Sequence, residues 1–198
     1  MRMSAMFHAD VFAGILVGGR ATRLGGRDKA RLVRDDGRTF LEHIVASLRG
    51  RVCAVRLAGH AEQRYPDVDL ELVPDRVEGK GPLAALDALL ATPPAAPPAT
   101  WCMLIACDMP AFDPAVIDVL AAARTAGALA VIPRAGGRLH PTCALYARGV
   151  AALVAEMLAG ADRSLHGLIG RAGEQAVIVD VPAALRASFA NVNDRWPA

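Results

Sequence analysis

The sequence predicts a single α/β domain built on an open, mainly parallel twisted sheet with helices on both faces. Three observations lead there. Apolar runs of strand length alternate along the chain with segments of helical period. Several of those runs are apolar throughout, which is how strands read when both faces of their sheet are covered. The core must come mostly from Ala, Val, Leu and Ile, because hydrophobic residues make up 54% of the chain and aromatic ones only 5%. A chain of 198 residues is large enough to bury such a core without staples or metal, so one domain spanning 1–198 is expected, with 1–10 as a flexible N-terminal segment.

The elements follow in order. Phe12 to Val17 is an apolar run that stops at Gly18-Gly19, a buried strand feeding a glycine-rich turn. Phe40, Leu41, Ile44, Val45 and Leu48 then recur at helical spacing behind Thr39, a candidate N-cap. Val52 to Leu57 and Leu70 to Val73 read as short strands, and Pro82 to Leu90 as a helix with proline in its first turn. Thr92 to Thr100, rich in Pro and Ala, reads as an exposed connection. Trp101 to Ala106 is a fully apolar strand, and Asp113-Pro114 opens a helix running to about Arg124. Leu129 to Ile132, Thr142 to Tyr146 and Ala176 to Val181 complete the strands, with a helix over Val150 to Leu158.

Lys and Arg total 22 against 20 Asp and Glu, so a formal charge of +2 gives no general attraction for nucleic acid or an anionic membrane. No segment has the length and apolarity of a membrane span, and Met1 to Asp10 lacks the apolar core of a secretory signal. Cys53, Cys102, Cys107 and Cys143 show no CxxC spacing and sit in or beside apolar runs, as buried thiols do. A reducing compartment, the cytoplasm, is the expectation.

In open α/β sheets ligands bind at the carboxyl ends of the strands, so polar residues just after a strand are the first candidates. The segment Leu16 to Lys29 is one. Its glycines let backbone N–H groups converge on an anion, and Arg23 and Lys29 can neutralise phosphate oxygens, with Asp28 the lone counter-charge before Asp35. The spacing contains neither GxxxxGK[ST] nor GxGxxG, which disfavours a P-loop ATPase and a dinucleotide-binding enzyme. Asp108, just beyond the apolar strand ending at Ala106, is the second candidate. Asp113 already supplies a helix cap, so Asp108 is a surplus carboxylate suited to holding Mg²⁺ against substrate phosphates.

These segments resemble the molybdenum cofactor guanylyltransferase family, whose LAGGxxxRMGxxK loop stands here as LVGGRATRLGGRDK from Leu16 to Lys29. Gly81-Pro82-Leu83 is similar to that family's GPLAG turn, Cys107-Asp108-Met109-Pro110 to its CDMP turn, His140-Pro141-Thr142 to its HPT segment and Asn191-Val192-Asn193 to its NVN signature. The order and rough spacing agree over nearly the whole chain. The resemblance implies a Rossmann-like nucleotidyltransferase fold and transfer of GMP from GTP to molybdopterin-bound molybdenum cofactor, with Mg²⁺ as cofactor. Molybdoenzymes or their chaperones are then the implied partners.

The resemblance also implies roles. Leu16, Val17, Gly18 and Gly19 would bind the nucleotide, Arg23 and Lys29 its phosphates, and Asp108 both nucleotide and metal. Asp75 would contact guanine, since a carboxylate can accept from N1–H and the 2-amino group together. Gly81, Pro82, Leu83, His140, Asn191 and Asn193 would bind substrate. The chain departs from the pattern at Val17, at Ala85, and at Leu57 or Gly59, where the family carries a base-contacting Asn. Two other readings stay open at this point: a cytidylyltransferase acting on the same cofactor or on a sugar or polyol phosphate, and a non-catalytic nucleotide-binding module.

Overall fold

A computed structural model describes residues 6–17, 28–77, 79–95 and 98–192. Among them an eight-stranded sheet runs in the order β3-β2-β1-β4-β7-β5-β6, with β8 also paired to β5. Its first part is parallel: β1 (His8–Leu16) lies between β2 (Val52–Gly59) and β4 (Trp101–Ala106), and β2 also pairs with β3 (Leu72–Pro74). Beyond β4 the direction changes. The strand β7 (Cys143–Ala147) pairs antiparallel with both β4 and β5 (Ala130–Ala135). The short β6 (Arg138–Leu139) closes a hairpin with β5, and β8 (Ala176–Asp180) adds in parallel on it.

Alternate residues of each strand feed two cores, because successive side chains point to opposite faces of a sheet. Val11, Ala13 and Ile15 of β1 with Met103 and Ile105 of β4 meet α1 (Phe40–Leu48) and α3 (Ala115–Ala122) on one face. Phe12 with Cys102 and Leu104 meets α2 (Pro82–Ala91), α4 (Ala151–Ala159) and α5 (Leu165–Ala172) on the other. The mainly parallel sheet covered on both faces is therefore as expected from the sequence. Among the described residues no helix is long and apolar enough to cross a membrane.

The differences lie at element ends and in the last third. Strand β1 begins at His8, so the last three residues of the segment expected to be flexible are sheet. His8 donates its backbone N–H to the Arg51 carbonyl at 2.8 Å, and its buried ring meets Asp118 at 2.8 Å, tying this end of β1 to α3. The connection over 92–100 ends buried at Ala99, and Thr100 N–H donates to Asp10. Helix α5, the hairpin strand β6 and the 3₁₀ segment Ala183–Phe189 were not expected. All four cysteines are free thiols.

Candidate functional site

Four parallel strands end together. Leu16 at the end of β1 is level with Ala58 of β2 on one side and Ala106 of β4 on the other, and Gly59 is level with Pro74 of β3. The residues that follow these strands therefore emerge along one edge, around a cleft of about 860 Å³. That volume is typical of a site for a small organic ligand.

At one end of the cleft, Lys29 and Asp108 come together from positions far apart in the chain. Lys29 opens the 3₁₀ turn Lys29–Arg31, whose N-cap is Asp28. Its ammonium donates to Asp108 Oδ2 at 2.8 Å, with side chains 21% and 13% exposed. The other oxygen, Oδ1, is buried and accepts no hydrogen bond among the described residues. Capping does not occupy Asp108: Ala115 N–H donates to Asp113 Oδ1 at 2.8 Å instead. The Asp108 carbonyl accepts from Val192 N–H at 3.1 Å, which brings Asn191 to the cleft wall. Cys107 beside it is a buried thiol whose pKa is pushed up first by burial and then by Asp108 and Asp28, with Lys29 pulling the other way.

The donor set fits Mg²⁺ of the kind that substrate phosphates complete. Among the described residues no group of three or more His, Cys, Asp and Glu side chains gathers to form a protein cage. Mg²⁺ in nucleotide sites commonly takes one or two carboxylates and leaves its other positions to phosphate and water, and the second oxygen of Asp108 is a hard ligand of that kind.

The other end of the cleft is formed by Gly59 and His60 after β2, by Asp75 after β3 and by the start of α2. Asp75 N–H donates to the Gly59 carbonyl at 3.0 Å, so the two loops are pinned together. Gly81, the N-cap of α2, has φ +65° and carries no side chain to satisfy the first N–H groups of the helix. Pro82 has no N–H, and Ala84 and Ala85 donate theirs to the Gly81 carbonyl at 3.0 and 3.4 Å, so the helix start meets the cleft as a closed turn beside Gly79.

The cleft brings together Leu16, Val17, Lys29, Asp75, Gly81, Pro82, Asp108 and Asn191 of the residues expected from the sequence. Gly18, Gly19, Arg23 and Asn193 lie outside the described residues. Leu83 and His140 do not line it. Leu83 is fully buried in the core under α2. His140 packs its ring on Phe189 with centroids 4.8 Å apart, and its Nε2 lies 3.4 Å from the Ala135 carbonyl oxygen. Burial holds its pKa below the usual histidine value. It supports the C-terminal segment that carries Asn191, while Thr142, two residues on, reaches the cleft.

The structure also separates the two positions considered for the missing Asn. The side chain of Leu57 lies in the core at 2% exposure, whereas Gly59 lines the cleft. Sequence reasoning overlooked His60, which the strand-end rule points to one residue past β2, and took Asp28 only as a counter-charge, although both line the cleft.

The chain matches the family described as MobA-like NTP transferase domain over residues 13–176. It is 32% identical over 190 residues to a molybdenum cofactor guanylyltransferase of Serratia proteamaculans, a match covering 95% of this chain and 92% of that protein. Its fold is similar to the crystal structure of molybdopterin-guanine dinucleotide biosynthesis protein A from Archaeoglobus fulgidus, with a TM-score of 0.72, 22% identity and 92% of each chain covered. It is also similar to 2-C-methyl-D-erythritol 4-phosphate cytidylyltransferase from Thermus thermophilus, with a TM-score of 0.59, 20% identity and 92% of each chain covered. The fold alone thus does not decide which base is used.

Proposed function

The chain belongs to the MobA-like NTP transferase family, and from that premise we propose that it transfers GMP from GTP to molybdopterin-bound molybdenum cofactor, releasing pyrophosphate. The observation that carries this reading is the Lys29–Asp108 pair, 2.8 Å apart where β1 and β4 end, with one buried Asp108 oxygen left for a ligand. The identity to guanylyltransferases over nearly the full chain supports GTP and the pterin as substrates.

In the proposed reaction the terminal phosphate of the pterin attacks the α-phosphorus of GTP, and the bond to the bridging oxygen of the β-phosphate breaks. The attacking phosphate is already ionised near neutral pH, so no general base is required. Asp108 would hold Mg²⁺, which when bound supplies neutralisation of phosphate charge. The Lys29 ammonium stabilises charge building on the departing pyrophosphate, and Arg23 has the same role by its place in the loop. Asn191 is assigned to the pterin side, with Asn193. On the same reading the protein works in the cytoplasm, in keeping with its four free thiols.

Asp75 discriminates the base, because it can accept two hydrogen bonds from guanine that cytosine does not offer in the same arrangement. A wrong base leaves that carboxylate without its donors, at a cost of about 1 to 3 kcal/mol, or a preference for GTP over CTP of about tenfold or more. The test is competition between the two triphosphates in the presence of Mg²⁺, read as relative kcat/KM for the wild type and Asp75→Ala. The variant is expected to lose most of the preference. A wild type preferring CTP, or a variant that keeps the preference for GTP, overturns the guanylyl reading.

A further inference from the structure

A chain of hydrogen bonds runs from the opposite end of the cleft to Asp28, the residue before Lys29. His60 N–H donates to Gln63 Oε1 at 3.0 Å, Gln63 Nε2 to the Tyr65 hydroxyl at 3.2 Å, and that hydroxyl to Asp28 Oδ2 at 2.8 Å. The other oxygen of Asp28 accepts from Ala30 N–H at 3.0 Å and so caps the turn that carries Lys29. Tyr65 is 9% exposed. Burial and the Asp28 charge raise the pKa of its phenol, so it stays protonated and always donates.

One ammonium therefore shares its cleft with two carboxylates. Asp28 and Asp108 both line the cleft with Lys29, and after burial both push the pKa of the Cys107 thiol up. Arg31 offers little compensation to Asp28: its Nε stands 3.8 Å from Oδ2, while its Nη2 is given to the Arg64 carbonyl at 2.7 Å. With the Tyr65 hydroxyl in place, both Asp28 oxygens are engaged within their own loop and Lys29 points to Asp108.

We propose that Tyr65 is a positioning residue of the transfer site: by occupying the Asp28 carboxylate it keeps the Lys29 ammonium aimed at Asp108 and at the phosphates bound there. The proposal rests on the transferase reading for its effect on rate, but not for its geometry. Tyr65→Phe removes only the hydroxyl and leaves the ring beneath the Arg31 guanidinium, 5.5 Å from its centre. Asp28 Oδ1 keeps the Ala30 N–H, but Oδ2 loses its hydroxyl donor and draws Lys29 away from Asp108.

The experiment compares crystal structures and kinetics of the wild type, Tyr65→Phe and the double variant Tyr65→Phe with Asp28→Asn. In Tyr65→Phe the Lys29 ammonium is expected within hydrogen-bond distance of Asp28. Its kcat should fall about tenfold or more, the scale of one charge-assisted hydrogen bond, with KM for GTP and the melting temperature little changed. The neutral amide of Asp28→Asn no longer attracts Lys29, so the double variant should regain most of the lost kcat. A merely structural tyrosine would instead give losses that add. Lys29 remaining on Asp108 in Tyr65→Phe, or no recovery in the double variant, overturns the proposal. If the wild type transfers no nucleotide, the transferase reading fails and the crystal comparison alone judges the positioning.

Discussion

One oxygen of Asp108 takes the Lys29 ammonium while the other, buried, accepts nothing among the described residues, and leaving such an acceptor unsatisfied typically costs about 1 to 3 kcal/mol. That cost shapes the stability of variants as well as their activity. Asp108→Ala is expected to abolish transfer with little change in melting temperature, because losing the ion pair is offset by removing the unsatisfied oxygen. Turnover by this variant at the wild-type rate under saturating Mg²⁺ would remove Asp108 from the mechanism. For Lys29→Ala the expected loss is in kcat and amounts to at least about 2 kcal/mol of transition-state stabilisation. A change in the KM for GTP alone would make Lys29 a binding residue.

The element that decides the base end of the cleft is the last residue of β2. A Cβ on Gly59 would run into the Val17 carbonyl oxygen and the Gln63 side chain. The Val17 N–H is itself bonded to the Ala58 carbonyl at 2.9 Å, so this backbone cannot retreat without opening the β1–β2 pairing. Restoring the family's residue by Gly59→Asn is therefore expected to lower both the melting temperature and the affinity for GTP. Thermal melting with and without GTP checks this, and a variant with wild-type stability and tighter GTP binding would show that the strand end has room. Elsewhere the elements obey local rules: Thr39 and Glu42 form a reciprocal capping box at α1. Helix α5 was hidden in the sequence by Gly167 and Gly170, each of which disfavours a helix by about 1 kcal/mol relative to Ala. Ser164 offsets part of this by accepting from Gly167 N–H at 2.9 Å.

At the scale of the whole molecule, segments distant in the chain that pack on one face of the sheet are held together by polar links as well as by the core. His43 of α1 is one of them. Its Nδ1 lies 2.7 Å from the Arg34 guanidinium, which can only donate, so Nδ1 accepts and Nε2 donates to the Phe112 carbonyl at 3.1 Å. Burial first, and Arg34 second, hold the pKa of His43 below its ordinary value of 6.5. A lowered folded pKa means that its stabilisation is complete above the unfolded value and is lost as pH falls through the folded one. Burial acts in the same direction on His140. The melting temperature is thus expected to drop as pH falls from 7 to below 6.5, and His43→Gln should flatten that drop. A variant with the same pH profile as the wild type would exclude His43 as the source.

The sequence alone determined the architecture of the first two thirds, because buried parallel strands and capped helices announce themselves locally. Strand β4 over Trp101–Ala106 and helix α1 over Phe40–Leu48 stand where periodicity and capping put them. It also determined Asp108 and the loop ending at Lys29 as candidates, since each follows a strand whose end could be read, while Asp75 came from the family resemblance. What it could not determine depends on contacts between segments far apart in the chain. His140 has the residue type of a ligand, yet its distance from the cleft follows from Phe189 packing against it. Gly59 reads as a departure until the Val17 carbonyl is seen to fill the space a side chain would need. The aim of Lys29 depends on Tyr65, 36 positions away, through a carboxylate that in the sequence is only a neighbouring charge. Periodicity is a property of one segment, whereas a hydrogen bond between loops exists only once the sheet has brought their strands into register.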